Sequence, residues 1–280
     1  MQVVSVVIVV IYTMAFIFGF IGVLMMGLQL YKTNILLMTA TTFINLLLVH
    51  SLFLLTIPFR LVYYTQNNIW TFGYTFCEVV SGMIHIHMYM SFIFYVVILG
   101  IRYFSFFKEN DNIEFNRKLH AAVASIIVWI LIIAVIFPNF YIVYGTSTSY
   151  NETKCFQFQK DLEKEEMRTI NYAITGFILT IVCILLTLQI SIIIKVVKNI
   201  EGSVFTHQEF WVQMKSLVFI LIMIVCFCPS LAFRLFYLKY TEECNGYNEI
   251  LWSVSALSCV DLLLFSLKPF CHSVSVNCWF

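Results

Sequence analysis

Charge is what this sequence has least of: 11% of its 280 residues are Asp, Glu, Lys or Arg, while 61% are hydrophobic. A water-soluble domain carries roughly 25% charged residues, so a surface made from this chain would not stay dispersed in water. The mean hydropathy of +0.91 points the same way. Lipid tolerates such a composition, because its tails need no polar partners. The formal net charge of +1 carries no message about nucleic acid, and none is expected as a partner. No Cys/His spacing suggests zinc, so no metal and no other cofactor is expected. There is no internal repeat and there are few intramembrane charges, which argues against a transporter. The last apolar run holds no lysine, which argues against a retinal-type pump. His50 with Asp261, or His85 with His87, invites a catalytic reading, but no nucleophile motif or second carboxylate accompanies them, so no enzyme is expected.

What the sequence does have is long apolar runs. A bilayer core takes about 20 residues of helix, and seven runs meet that need: 3–30, 35–62, 79–101, 121–144, 170–194, 217–237 and 250–267. Charges and turn formers separate them. The expected fold is all-α, a single seven-transmembrane helix bundle over 1–280, with a long external loop at 145–169. The first run lacks a basic leader and a small-residue cleavage site, so it reads as a spanning helix and not a signal peptide. With the N-terminus outside, the basic residues lean slightly to the cytoplasmic side. The sequon Asn151-Glu152-Thr153 then falls in an external loop as a glycosylation site. Cys77 and Cys155 also fall outside, where the environment is oxidising. The tails before the first run and after Leu267 are short, which suggests an incomplete chain and leaves Cys244 without an evident N-terminal partner. Cys271 and Cys278 are candidates for acylation.

The order and spacing of several motifs carry a resemblance. Cys77 begins the third run and Arg102-Tyr103 ends it. Trp129 lies in the middle of the fourth, and Cys155 in the loop after it. Cys226-Phe227-Cys228-Pro229 marks the sixth run and Asp261-Leu262-Leu263-Leu264-Phe265 the seventh. Asn45-Leu46-Leu47-Leu48-Val49-His50 and Leu55-Thr56-Ile57-Pro58-Phe59-Arg60 mark the second. Over nearly its whole length the chain resembles the rhodopsin-like class A G-protein-coupled receptors, in particular their nucleotide and lipid-mediator branch. The resemblance implies a plasma-membrane receptor of multi-pass topology with its N-terminus extracellular. It implies a heterotrimeric G protein and arrestin as partners, membrane lipid around the bundle, and an external ligand. It also implies a Cys77–Cys155 disulfide pinning the long loop.

The activation residues follow from the same resemblance. Arg102 would hold the sixth helix closed before meeting the G protein, with Glu209 as its acidic partner; the plainer reading is an arginine snorkelling to headgroups. Pro229 removes a backbone donor and bends its helix, either as a hinge beside Phe227 or as a static kink. Cys183, Cys226, Cys228 and Cys259 lie within the runs and read as packing residues. Other positions depart from the family. Ile101 stands where an acid usually precedes the arginine. Val23, Leu262 and Phe265 replace an asparagine, a proline and a tyrosine, and the fifth run has no proline. His50 replaces the aspartate that binds sodium, while Ser91 and Asp261 remain. An intramembrane ionisable group needs a partner, so His50 is expected to face Asp261, either as a charged pair or as one neutral hydrogen bond. Both forms remove the sodium site.

For the ligand, Arg60 and Arg234 lie near the external ends of the second and sixth runs. Guanidinium binds phosphate or carboxylate in a fork, although an arginine at a helix end is also a common interface anchor. His85 and Tyr89 join them as ligand-binding candidates. His85, Met88 and Tyr89 share a helix face better than His85 with His87. Leu231 stands where nucleotide receptors place a histidine, so an acidic lipid or another anion is the expected ligand class. No aspartate near His85 would receive an amine. The main rival is a receptor that has lost G-protein coupling, and a transporter stands behind it.

Overall fold

The computed structural model describes residues 2–33, 38–107, 123, 125–130, 134, 154–156, 165–200, 203–237 and 245–266. Among them no strand occurs, and six helices are long and apolar enough to cross a membrane: Val3–Lys32, Thr41–Thr65, Tyr74–Phe104, Arg168–Asn199, Glu209–Phe236 and Gly246–Ser266. They correspond to the first, second, third, fifth, sixth and seventh runs. The fourth run is described only at 123, 125–130 and 134, all helical. Asn151 and the tail cysteines lie outside the described residues.

Several helices extend past the sequence boundaries. The third runs Tyr74–Phe107 and the fifth Glu165–Asn199, because polar residues flanking an apolar run continue the helix into the headgroup layer. The second run, expected to be continuous, is instead divided into Met38–Leu54 and Ile57–Thr65. Pro58 has no N–H to give the carbonyl one turn before it. Thr56 tightens the break, its hydroxyl donating to the Phe53 carbonyl at 2.7 Å.

The sixth and seventh spans carry interruptions of a similar kind. Met223–Phe227 forms a π-helical turn immediately before Cys228-Pro229, where the proline again withholds a donor. In the seventh span a 3-10 segment, Ala256–Val260, separates Asn245–Ser255 from Asp261–Ser266. Serine hydroxyls turn back onto carbonyls three residues earlier: Ser253 to Ile250 at 2.6 Å, Ser255 to Trp252 at 2.6 Å and Ser258 to Ser255 at 2.8 Å. Such back-bonds compete with the regular helical ladder.

Packing sets the layers. The first span lies against the second and the seventh. Gly22 permits the close approach: a Cβ there would sit 2.7 Å from the Leu263 backbone nitrogen, and membrane helices use small residues for such crossings. The third span is central, with 56% of its apolar window buried against 28% for the first and fifth. It therefore presents more than one inward face, which matters for the histidines below. Trp129, in the fourth run, donates to Asn45 Oδ1 at 3.0 Å, and Asn45 donates to Ser125 at 2.7 Å, tying the fourth run to the second.

Candidate functional site

The end of the bundle near Cys77 is organised by a disulfide. Cys77 and Cys155 are bonded, with their Cα atoms 5.7 Å apart. The bridge brings the Cys155 carbonyl to the Tyr63 hydroxyl, which donates to it at 2.9 Å. Phe156 follows with φ 64°, a left-handed conformation uncommon for an aromatic residue. Its ring lies 5.1 Å from that of Tyr63 and 6.1 Å from that of Tyr64. Arg60 sits beneath, its guanidinium 4.5 Å from the Phe156 ring centre. Only 2% of Arg60 is exposed. Its Nη2 donates to the Val80 carbonyl at 2.6 Å and its Nη1 to the Tyr12 hydroxyl at 3.3 Å. Both terminal nitrogens thus serve the first and third spans, so Arg60 is a brace between helices and not the open anion receptor the sequence suggested.

Arg234, also buried, has its guanidinium 5.4 Å from the Trp252 ring. The same indole lies 4.2 Å from the His85 ring. The third, sixth and seventh spans therefore meet at His85, Arg234 and Trp252. Tyr89, one turn along from His85, is half-buried. Nearby, the Tyr64 hydroxyl donates to Glu249 Oε2 at 2.8 Å. Trp252 and Glu249 were not singled out from sequence, because hydropathy treats Asn248-Glu249-Ile250-Leu251-Trp252 as the ragged start of a span. An acid and an indole one turn apart near the start of that helix were the available signal.

Midway through the bundle lies a polar chain. His50 Nε2 is 3.0 Å from Asp261 Oδ1, with both side chains fully buried. The atoms are at ion-pair distance but off the line of a hydrogen bond. Asp261 Oδ2 accepts the Tyr95 hydroxyl at 2.6 Å, and Oδ1 accepts the Leu262 backbone N–H. The other face of His50 meets His87, Nδ1 to Nε2, at 2.9 Å. His87 Nε2 in turn lies 3.3 Å from Cys259 Sγ, and Phe53 stacks on the His87 ring at 4.2 Å. His87, which the helical-face argument set aside, is fully buried, whereas His85 and Tyr89 are half-buried. The face argument assumed a single inward direction, and the third span has several. Cys259, read as packing, does pack, but its sulfur also faces an imidazole.

At the far end of the third span, Arg102 lies about 37 Å from Cys77 along the axis, at 1.5 Å per residue. Arg102 is half-buried. Its Nη1 donates to Ser216 Oγ at 3.0 Å, and its guanidinium lies 5.5 Å from the Phe219 ring. The expected Arg102–Glu209 pair is not formed: Glu209 is exposed in the first turn of the sixth span. Ser216 lies two turns deeper, and the arginine reaches inward to it. The sixth span is clamped to the fifth by Gln189, which donates to the Gln213 carbonyl at 2.9 Å and to its side-chain oxygen at 3.1 Å. Aromatic rings join this end to the centre. Phe265 stacks on Phe219 at 4.1 Å, Phe219 meets Tyr95 at 5.3 Å, and Tyr95 stacks on Phe227 at 6.1 Å.

Comparison with known proteins gives this geometry a context. The family model described as "7 transmembrane receptor (rhodopsin family)" matches residues 23–271. The chain is similar to human "Probable G-protein coupled receptor 141", 46% identical over 261 residues, covering 91% of this chain and 85% of that protein. It is similar to chimpanzee "Probable G-protein coupled receptor 34", 28% identical over 247 residues, covering 80% of this chain and 62% of that protein. It is also similar to "C-C chemokine receptor type 3" of Macaca fascicularis, 33% identical over 146 residues, covering 51% of this chain and 40% of that protein.

Proposed function

Because the chain belongs to the rhodopsin family of seven-transmembrane receptors, we propose that it is a plasma-membrane receptor, N-terminus extracellular, that signals to a heterotrimeric G protein by movement of its sixth helix. The observation that carries this reading is the tether from Arg102 to Ser216 at 3.0 Å, set below the π-turn and Pro229. At its cytoplasmic end the sixth span meets Arg102 through a neutral hydroxyl and the Phe219 ring, and it is interrupted above them. A hydrogen bond with a charged donor contributes roughly 1.5–3 kcal/mol, which a ligand's differential affinity for the open state can supply. The Gln189–Gln213 clamp makes the fifth and sixth spans move as a pair. Opening frees Arg102 for the G protein, and arrestin competes for the same face. Membrane lipid surrounds the bundle throughout.

The ligand class supported best is an acidic lipid or another anion, received at Arg234 with His85, Tyr89 and Trp252. Arg60 shapes the wall of that region. A guanidinium stacked on an indole is preorganised for a carboxylate or phosphate.

The test is ligand-free G-protein dissociation across all subtypes in cells with matched surface delivery. Wild type gives a basal signal, Ser216→Ala raises it and Arg102→Ala abolishes it. If all three are silent, the coupling proposal fails. The rival then gains, namely a receptor that has given up G-protein coupling, for which Ile101, Leu262 and Phe265 already speak.

A further inference from the structure

One ligand atom from each of the buried residues His50, His87 and Cys259 lies within 4.8 Å of the other two, with His87 Nε2 between His50 Nδ1 and Cys259 Sγ. They come from the second, third and seventh spans, so no sequence spacing reveals them. We propose that they form a zinc site at the centre of the helix bundle, with Asp261 orienting His50 from behind.

The donor chemistry fits. Zinc favours imidazole nitrogen at about 2.0–2.1 Å and thiolate sulfur at about 2.3 Å in tetrahedral geometry. A tetrahedron with those bonds has edges of about 3.3–3.6 Å. The observed separations are 2.9 Å between the two nitrogens and 3.3 Å from His87 Nε2 to sulfur. Opening the cluster by a few tenths of an ångström admits the ion. Metal-bound histidines commonly present their second nitrogen to a carboxylate, and His50 Nε2 faces Asp261 Oδ1 at 3.0 Å.

Besides His50 Nε2, which meets Asp261 at ion-pair distance only, the buried His87 Nδ1 and Ser91 hydroxyl make no hydrogen bond. An unpaired buried polar group is costly. Ser91 stands one helical turn from His87, on the same face. It is placed to hold a water or to complete the coordination as the fourth ligand.

Charge favours zinc over sodium. On binding, the ion takes the thiol proton from Cys259, which leaves to solvent. Zn²⁺ with one thiolate, the Asp261 carboxylate and two neutral imidazoles then sums to zero. A neutral cluster is what the membrane interior accepts most readily. A hard monovalent cation finds too few oxygens among these ligands. The site would bind three spans to one another and so hold the receptor in a single arrangement.

The experiment uses the full chain purified in detergent and stripped with a chelator, with Co²⁺ as spectroscopic probe and Zn²⁺ as competitor. The expected result is one equivalent of Co²⁺ with tetrahedral bands and a sulfur-to-cobalt charge-transfer band, both erased by Zn²⁺. Cys259→Ser abolishes the charge-transfer band. Asp261→Asn keeps it but weakens affinity roughly 10–100-fold, as loss of an outer-shell carboxylate does. Absence of the band in folded wild type overturns the proposal. So does a band that survives Cys259→Ser and disappears in Cys183→Ser, since Cys183 is exposed. If Cys259→Ser does not fold, X-ray absorption of wild type loaded with one equivalent of zinc decides. One sulfur and two imidazoles support the site, and a first shell of oxygen alone refutes it. None of these readouts depends on signalling, so their failure is separate from failure of the receptor reading.

Discussion

If Arg60 braces the helices, replacing it with Lys should do more harm than replacing it with Met. The structure gives the ledger. Arg60 donates to Val80 at 2.6 Å and, more weakly, to Tyr12 at 3.3 Å, and a charged hydrogen bond contributes roughly 1.5–3 kcal/mol. Its guanidinium lies 4.5 Å from the Phe156 ring, which adds about 2 kcal/mol in a desolvated site. Against this stands the cost of a cation in the membrane, roughly 2.5–3.5 kcal/mol at a helix centre and less near the end where Arg60 sits. Met keeps the stem, loses the interactions and removes the burial cost, for a net loss of about 1–2 kcal/mol. Lys keeps the burial cost and loses the fork and the flat stacking surface, for a net loss of about 2–4 kcal/mol. At roughly 2–4 °C per kcal/mol for a chain of this size, Lys should lower the melting temperature of the detergent-purified receptor by about 4–16 °C and Met by about 2–8 °C. Lys tolerated, with Met melting at or below it, would show that Arg60 faces a wet pocket as an anion receptor, and the reasoning would be wrong.

Three further outcomes follow from the packing. Gly22→Ala should destabilise by roughly 1–3 kcal/mol, as overpacking does, because its Cβ would meet the Leu263 backbone at 2.7 Å. Gly27→Ala, whose nearest neighbour is a Leu47 methyl at 3.8 Å, should melt with wild type; equal melting of the two variants would remove the close-approach argument. Tyr95→Phe deprives buried Asp261 of its 2.6 Å donor and should cost roughly 1.5–3 kcal/mol, read by thermal melting, with an unchanged transition counting against it. Sodium should not stabilise the receptor beyond a matched choline control, since His50 stands at the aspartate position; a sodium-specific rise in melting temperature would refute that reading.

Local chemistry was the legible part of the sequence. Six described spans match six of the seven runs, because length and apolarity are properties of a single segment. The break near Pro58 and the disturbed turn before Pro229 have a local cause too, although the continuous second helix expected over 35–62 overlooked the first of them. The meeting of His50 with Asp261 was anticipated, since a buried ionisable group in lipid needs a partner. Contacts between three helices were not legible. His87 was set aside because one helical face was assumed to be inward, and the third span is wrapped by neighbours on several sides. Cys259 reads as filler until the first-span glycines let its helix close in: a Cβ on Gly19 would sit 2.9 Å from Cys259 Cβ. Glu209 was assigned to Arg102 from the family resemblance, while the structure gives the arginine Ser216, because reach and depth decide a hydrogen bond where charge only attracts.

The departures from the family pattern make most sense as a coupled set. His50 brings a nitrogen to Asp261 where the family would bring a second carboxylate, and so removes the repulsion that a cation would otherwise have to offset. Tyr95 supplies Asp261 with a hydroxyl from the third span, and its ring meets both Phe219 and Phe227 on the sixth. Phe265, in place of a tyrosine, has no hydroxyl to satisfy and stacks flat on Phe219 at 4.1 Å. The seventh span is therefore held to the sixth by apolar contact, at the level where Arg102 also lies over Phe219. Apolar contacts are non-directional, and rings can slide past one another without leaving an unpaired polar group. A sixth helix seated on Phe265 can move at low cost once Arg102 releases Ser216. Under the coupling proposed above, that combination predicts weakened resting control, and it ties the Ile101, Phe265 and Ser216 positions to one expected phenotype.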